Sequence, residues 1–297
     1  MNFTTQVIRR FFQYSQTILS AGMIFSFFPL SLFPGLHDGQ LKFVSAPVSK
    51  DRAVEVLDRT EPIILELSQT FFGGEAGKDS TDKIIEKQIE FVSSRKAFGA
   101  SLSVIKKHEE TIRRIADKEG VPADVAIGVA LLENGGSETA VSSAGALGVF
   151  QLMPGTARSL GLTVNKKVDE RKNVEKNISA GISYLRQNYD RFGDWGLATW
   201  AYHAGEGNVT KALQLFAKAN SAVKLPGLKD ASKLRTYVEK NDVTIHKLLS
   251  SVAVKNLTKK LSDDSAGYPY KVIATATLYR NLSQASFTLP GLIVESL

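Results

Sequence analysis

The stretch ALLENGGSETAVSSAGALGVFQLMPGTA, residues 130–157, decides how the rest of the chain is read. It begins inside an apolar run, Ala123 to Leu132, that ends on a single carboxylate, Glu133. Gly135 and Gly136 then stop the helix, a small-residue loop runs from Ala140 to Gly148, and a second short helix is predicted from Phe150 to Ala157. The run before Glu133 is apolar nearly all round, through Val125, Ala126, Ile127, Val129, Ala130, Leu131 and Leu132. A helix without a polar face is buried, and Pro122 suits its first turn. Glu133 therefore sits where a core helix opens into a loop, and desolvation there raises the pKa of a carboxyl group.

Working back towards the N-terminus, Gly120-Val121 separates this helix from a long helical pattern that begins near Asp82. Its apolar positions are Ile85, Ile89, Val92, Leu102, Ile105, Ile112 and Ile115, with a kink predicted at Gly99. Val54, Leu57, Ile64, Leu67 and Phe71 recur at helical spacing before Gly73-Gly74, interrupted at Pro62. No chemistry is legible in residues 50–107. Residues 1–36 pair Arg9 and Arg10 with an uncharged, largely apolar segment from Phe11 to Leu36, which reads as an export signal or an N-terminal membrane anchor. Residues 37–50 read as a linker.

Working forward, residues 158–172 form a polar connector. Asn173 can cap a helix carrying Ile178, Ile182, Leu185 and Tyr189 on one face. Gly193-Asp194 turns into a helix from Trp195 to Ala204 that stops at Gly205, and Asn208 can cap another with Val209, Leu213 and Phe216 inward. A Pro/Gly/Lys loop follows, then helices near Asp242 to Asn256 and near Pro269 to Tyr279. The tail, 281–297, ends in a strand-like composition. The pattern predicts a mainly α protein.

The 297 residues are 43% hydrophobic, enough for a sizeable core. The absence of cysteine excludes disulfides, thiolate metal sites and cysteine nucleophiles. His37, His108, His203 and His246 show no metal-ligand spacing, so no metal site is expected. The formal charge of +7 is spread along the chain without a nucleic-acid-binding motif, and reads as solubility and general attraction to anionic surfaces.

A carboxylic acid that stays protonated near neutral pH is what cleavage of a glycosidic bond requires. The two-carboxylate form of that chemistry needs a partner, and among Glu138, Asp190, Asp194 and Glu206 none stands out. A single acid would need a nucleophile from within the substrate. Against this stands the plain alternative, a solvated glutamate at a helix end.

Three blocks shift the balance. They are Glu133 with AVSSAGALGVFQLMPGTA (140–157), Asn177-Ile178 with Gly181 and Tyr184-Leu185, and AYHAGEGNV (201–209). Their order and spacing resemble the lytic transglycosylases with a soluble-lytic-transglycosylase domain, related to goose-type lysozymes, over about Ile105 to Val209. Gly267 to Val272 resembles that family's closing helix. The resemblance implies a lysozyme-like (α+β) catalytic domain over 108–280, with a helical N-terminal accessory region at 51–107.

It further implies Glu133 as the catalytic acid and later base. Ser142 would orient a sugar, and Gln151 and Met153 would line the sugar subsites. Tyr202 would hydrogen-bond and position Glu133, with His203 beside it among the substrate-binding positions. Gly145 and Gly148 would let the loop turn tightly against the substrate. Fold maintenance is the alternative for several of these, with Met153 as core filler and Tyr202 as a core tyrosine.

The implied reaction cleaves the β-1,4 bond between N-acetylmuramic acid and N-acetylglucosamine of peptidoglycan and leaves a 1,6-anhydro ring, without a cofactor. Export to the periplasm or cell envelope would follow, with membrane association through residues 11–36, peptidoglycan strands as partner, cell-envelope machinery as a further one, and no nucleic acid. The alternatives are a hydrolytic muramidase on the same fold and a non-catalytic glycan-binding or assembly module. The chain departs from the family pattern at Asn134 (usually Ser), Gly136 (usually aromatic), Ser137-Glu138 (usually Asn-Pro), His203 (usually Asn) and Glu206 (usually Pro).

Overall fold

The helix that ends on Glu133 is the centre of the molecule, and its neighbours are placed by what its surface allows. In the computed structural model it spans Ala123–Glu133, with Val125 through Leu131 buried. Residues 62–73, 79–221, 225, 230–261 and 265–284 are described. Ile63–Arg280 form one unit and Met1–Pro62 with Asn281–Leu297 a second, nearly all of which lies outside the described residues. The apolar segment at 11–36, the linker at 37–50 and the strand-like end of the chain also lie outside them.

In chain order the helices are α1 (62–72), α2 (Asp79–Ser93), α3 (Phe98–Glu119), α4 (Ala123–Glu133), α5 (Pro154–Ser159), α6 (Val174–Phe192) and α7 (Trp195–Ala204). They continue with α8 (Glu206–Ser221), α9 (Ala231–Lys240), α10 (Ile245–Ser250), α11 (Val252–Thr258) and α12 (Tyr268–Gln284). Helix makes up 75% of the described residues, and no strand occurs among them. The expected α+β domain is thus corrected to an all-helical one. The segment that could have formed a sheet, between Glu133 and Pro154, makes only single antiparallel bridges, Val141 to Leu147 and Leu147 to Leu152. Its glycines and small residues favour turns over an extended ladder.

Helix α12 crosses α4 antiparallel, and three contacts fix the register. Arg280 donates to Asp124 Oδ2 at 2.6 Å, Thr275 Oγ1 donates to the Gly128 carbonyl at 3.0 Å, and Tyr268 lies against Glu133. The crossing needs Gly128, because a Cβ there would stand 2.5 Å from the Val272 carbonyl oxygen. Arg280 also holds Glu66 of α1 at 2.7 Å.

Helix α3 packs along α4 and α6. Its buried face holds Phe98, Leu102, Ile105, Ile112 and Ile115, and it ends on left-handed Gly120. It runs unbroken through position 107, so the accessory segment and the following domain share one helix. The kink expected at Gly99 lies earlier, at residues 94–97. There the Ser93 and Ser94 hydroxyls donate back to the Glu90 and Phe91 carbonyls and end α2.

Asn173 caps α6 through Lys176 N, as its position suggests. Helix α8 begins at Glu206, placing Asn208 inside its first turn rather than at the cap. The single helix expected from Asp242 to Asn256 is two, split by extended Ser251, and α9 comes before them. The helix expected from Phe150 to Ala157 begins only at Pro154, because Phe150 and Gln151 form a turn with Gln151 at φ +44°.

Candidate active site

Glu133, a part-buried residue, sits at the end of α4. Burial pushes its pKa up. A hydrogen bond from Tyr268 and the charges of His203 and Arg95 pull it back, without cancelling the rise. Tyr268 Oη donates to Glu133 Oε1 at 2.7 Å. Burial and the neighbouring carboxylate keep the Tyr268 hydroxyl far above its ordinary range, so it stays a donor. The His203 ring stacks on Tyr268, with centroids 4.3 Å apart and planes 11° from parallel.

Tyr202 does not hold Glu133. Its hydroxyl donates to the Phe150 carbonyl at 2.5 Å, and its ring lies 5.2 Å from that of Tyr184. Phe150 is fully buried, so its carbonyl needs a donor from the protein, which Tyr202 supplies. The partner of Glu133 arrives instead on α12, 135 residues along the chain.

The loop from Ala140 to Met153 is bound to itself and to one buried cation. Leu147 and Leu152 exchange both backbone bonds, at 3.1 and 3.0 Å. Ser142 Oγ accepts from Ala146 N at 3.0 Å. Gln151 Nε2 donates to the Ala140 and Gly148 carbonyls at 2.8 and 2.9 Å. Ser142 and Gln151 thus shape the loop with the groups the resemblance assigns to sugar. Met153 is 42% exposed, which excludes a role as core filler.

Asn177 of α6 accepts from Phe150 N at 2.9 Å and donates to the Leu147 and Arg171 carbonyls. It presses against Gly148, where φ is +92° and a Cβ would stand 2.2 Å from Asn177 Nδ2. Arg171, 6% exposed, donates to the carbonyls of Gly145 and Leu152 at 2.8 Å each. Its other nitrogens fork onto Asp169 at 3.0 and 2.7 Å. That guanidinium holds the Asp169 carboxyl below its ordinary range.

The other acids are engaged elsewhere. Asp194 caps α7 through Leu197 N at 2.6 Å, and burial raises its pKa to about 7. Asp190 accepts from Arg186 at 2.7 Å, Glu206 accepts from Tyr184 Oη at 2.8 Å, and Glu138 pairs with Lys107 and His108. The site is therefore built around one carboxyl, Glu133, with Tyr268, His203 and Arg95 acting on it.

Sequence reasoning missed three contributors. Tyr268 lies in the Gly267–Val272 block, but nothing there signals what it touches. Asn177 belongs to a quoted block without a role assigned. Arg171 carries no signal beyond its charge.

Residues 110–224 match the model of the transglycosylase SLT domain family. A transglycosylase of Enterobacteria phage PRD1 is 38% identical over 96 residues, 32% of this chain and 34% of that protein. The membrane-bound lytic murein transglycosylase D of Escherichia coli is 28% identical over 124 residues, 41% of this chain and 27% of that protein. The solved lytic transglycosylase Slt of Pseudomonas aeruginosa overlays with a TM-score of 0.39 at 20% identity, over 81% of this chain and 36% of that one. The chain spans about a third or less of the length of these relatives.

Proposed function

We propose that this chain, which carries a transglycosylase SLT domain at residues 110–224, is a peptidoglycan lytic transglycosylase of the bacterial cell envelope. The observation that carries the reading is a single carboxyl with a raised pKa at the open end of a buried helix, while Asp194 caps a helix and Asp190 and Glu138 pair with cations.

One acid suffices when the substrate supplies its own nucleophile. Protonated Glu133 gives its proton to the leaving oxygen of the muramic acid glycosidic bond as positive charge builds on the sugar. The muramic acid C6 hydroxyl then attacks its own anomeric carbon, and the Glu133 carboxylate takes the hydroxyl proton. Tyr268 fixes the direction of the carboxyl through both steps. The loop of Ser142, Gln151 and Met153, braced by Asn177 and Arg171, forms the wall against which the sugar is held. Export and attachment to the envelope through residues 11–36 belong to the same reading.

The test is digestion of purified peptidoglycan by wild type and Glu133→Gln, with product masses read. Anhydro-ended products from wild type alone, with a loss of ~10²–10⁴ in the variant, are expected. Products one water heavier would overturn the reading in favour of a hydrolase.

A further inference from the structure

Residues 134–139 join the acid to the loop that begins at Ala140, and they belong to no helix. Gly135 and Gly136 take left-handed backbone, at φ +58° and +85°, and glycine leaves such a segment free to turn elsewhere. Its course is set by alternate residues that meet α3, while 135, 137 and 139 are exposed. Fully buried Asn134 donates to the Ala130 carbonyl at 2.8 Å and to the Ser101 carbonyl at 3.4 Å, and its Oδ1 accepts from Gly136 N at 2.7 Å. Gly136 lies so close to α3 that a Cβ would stand 2.7 Å from that of Ala100. About two turns further along α3, Lys107 Nζ and His108 Nε2 both donate to Glu138 Oε1, at 2.7 and 2.8 Å.

Glu138 is the last of these anchors before the loop. Just beyond it, the Ala140 carbonyl accepts from Gly148 N at 3.1 Å and from Gln151 Nε2 at 2.8 Å. Lys107 and His108 sit inside α3, which packs along α4, so the ion pair refers the loop to the helix that ends on Glu133. The two donors, Lys107 first, hold the Glu138 carboxyl below its ordinary range and keep it an acceptor at neutral pH. The Lys107 side chain is 66% exposed, and exposed ion pairs contribute little to stability. What this pairing fixes is the position of the chain.

We propose that Glu138 is a positioning residue for the reaction: anchored on Lys107 and His108, it fixes the loop of Ser142, Gln151 and Met153 in its place relative to Glu133. This rests on the activity proposed above. Proton transfer needs the glycosidic oxygen within hydrogen-bond reach of the acid, and a small misplacement costs rate steeply. Without the Glu138 carboxylate the glycine-bearing segment can shift, and Ala140 carries with it the Gly148 and Gln151 groups bonded to its carbonyl. A sugar held against the displaced loop is then presented to Glu133 out of line, so the loss falls on kcat. Lys107 closes the segment in which the sequence shows no chemistry, and through this contact that segment takes part in catalysis.

The test measures release of anhydro-muropeptides from purified peptidoglycan by the full-length chain, with unfolding midpoints alongside. In Glu138→Ala, kcat falls by roughly 10- to 100-fold while the midpoint moves little, and Glu138→Gln, which keeps an acceptor, restores part of the rate. Lys107→Ala with His108→Ala reproduces the loss, and adding Glu138→Ala to that pair costs nothing more. Arg114→Ala, which breaks a pair between α3 and Glu175 of α6, leaves kcat as it was. A wild-type kcat in Glu138→Ala overturns the proposal, as do additive losses in the combined variant or an equal loss in Arg114→Ala. Backbone hydrogen exchange over residues 140–153 is measured on the same proteins, where turnover plays no part. Faster exchange there in Glu138→Ala, but not in Arg114→Ala, is expected, and unchanged exchange overturns the proposal. A wild type that yields no anhydro ends refutes the activity, and the exchange then decides whether Glu138 places the loop.

Discussion

Replacing Tyr268 by Phe removes one hydroxyl and leaves the ring to stack on His203. The lost contact is a 2.7 Å hydrogen bond to Glu133, and bonds to charged groups contribute ~1.5–3 kcal/mol. If that bond orients the carboxyl in the transition state, its loss lowers kcat by roughly 10- to 150-fold. The pH profile carries an independent signature. Tyr268 favours the ionised form of Glu133, so its removal raises the Glu133 pKa further. The acid then stays protonated to higher pH, and the alkaline limb of kcat/KM moves in the alkaline direction.

The assay is release of anhydro-muropeptides against pH, with Tyr202→Phe alongside. That second variant leaves the buried Phe150 carbonyl without its donor. It should lose ~1–3 kcal/mol of stability while keeping the position of the limb. A Tyr268→Phe enzyme with unchanged kcat and an unmoved limb, or a limb moved by Tyr202→Phe instead, would refute the assignment of Tyr268 as the residue that positions the acid.

Three further variants probe the frame. Arg171→Met strips the Gly145 and Leu152 carbonyls of a donor and leaves Asp169 without its cation. A loss of ~3–5 kcal/mol is expected by denaturant unfolding. Gly128→Ala places a methyl 2.5 Å from a backbone oxygen of α12. It should destabilise by at least ~2 kcal/mol and depress activity further by moving Tyr268, which turnover at a permissive temperature will show. Asp194 has its pKa raised from 3.8 to about 7 in the folded protein, so stability is lost as pH rises between those values. Asp194→Asn keeps an N-cap without the charge. It should gain on the order of 2–4 kcal/mol over wild type above neutral pH and little at acid pH, read from unfolding midpoints.

The core was legible where one side-chain property decided the outcome. The unbroken apolar run from Val125 to Leu131 gave α4 and put Glu133 at its mouth, and Asn173 with Gly193 marked both ends of α6. Pairings across the chain were not legible. The donor to Glu133 depends on the register of α4 against α12, set by the bare surface of Gly128, and no local pattern encodes it. Arg171 looks like any surface arginine until the two carbonyls it satisfies are brought to it. Helix α9 was hidden because only Leu234, Tyr237 and Val238 of its ten residues are buried. The α+β expectation came from resemblance rather than from any alternating stretch in this chain. Read alone, the Gly- and Ser-rich loop argued for the turns it forms.

The antiparallel seating of α12 on α4 also has a consequence for biosynthesis. The acid is laid down less than halfway along the chain, but the hydroxyl that orients it arrives 135 residues later. A nascent chain holds the α4 segment and the loop before Tyr268 has left the ribosome, with the Gly128 face of α4 still uncovered. In such a chain Glu133 is present without its positioning donor. Under the activity proposed above, full cutting waits until α12 docks, and a product truncated upstream of it should cut poorly.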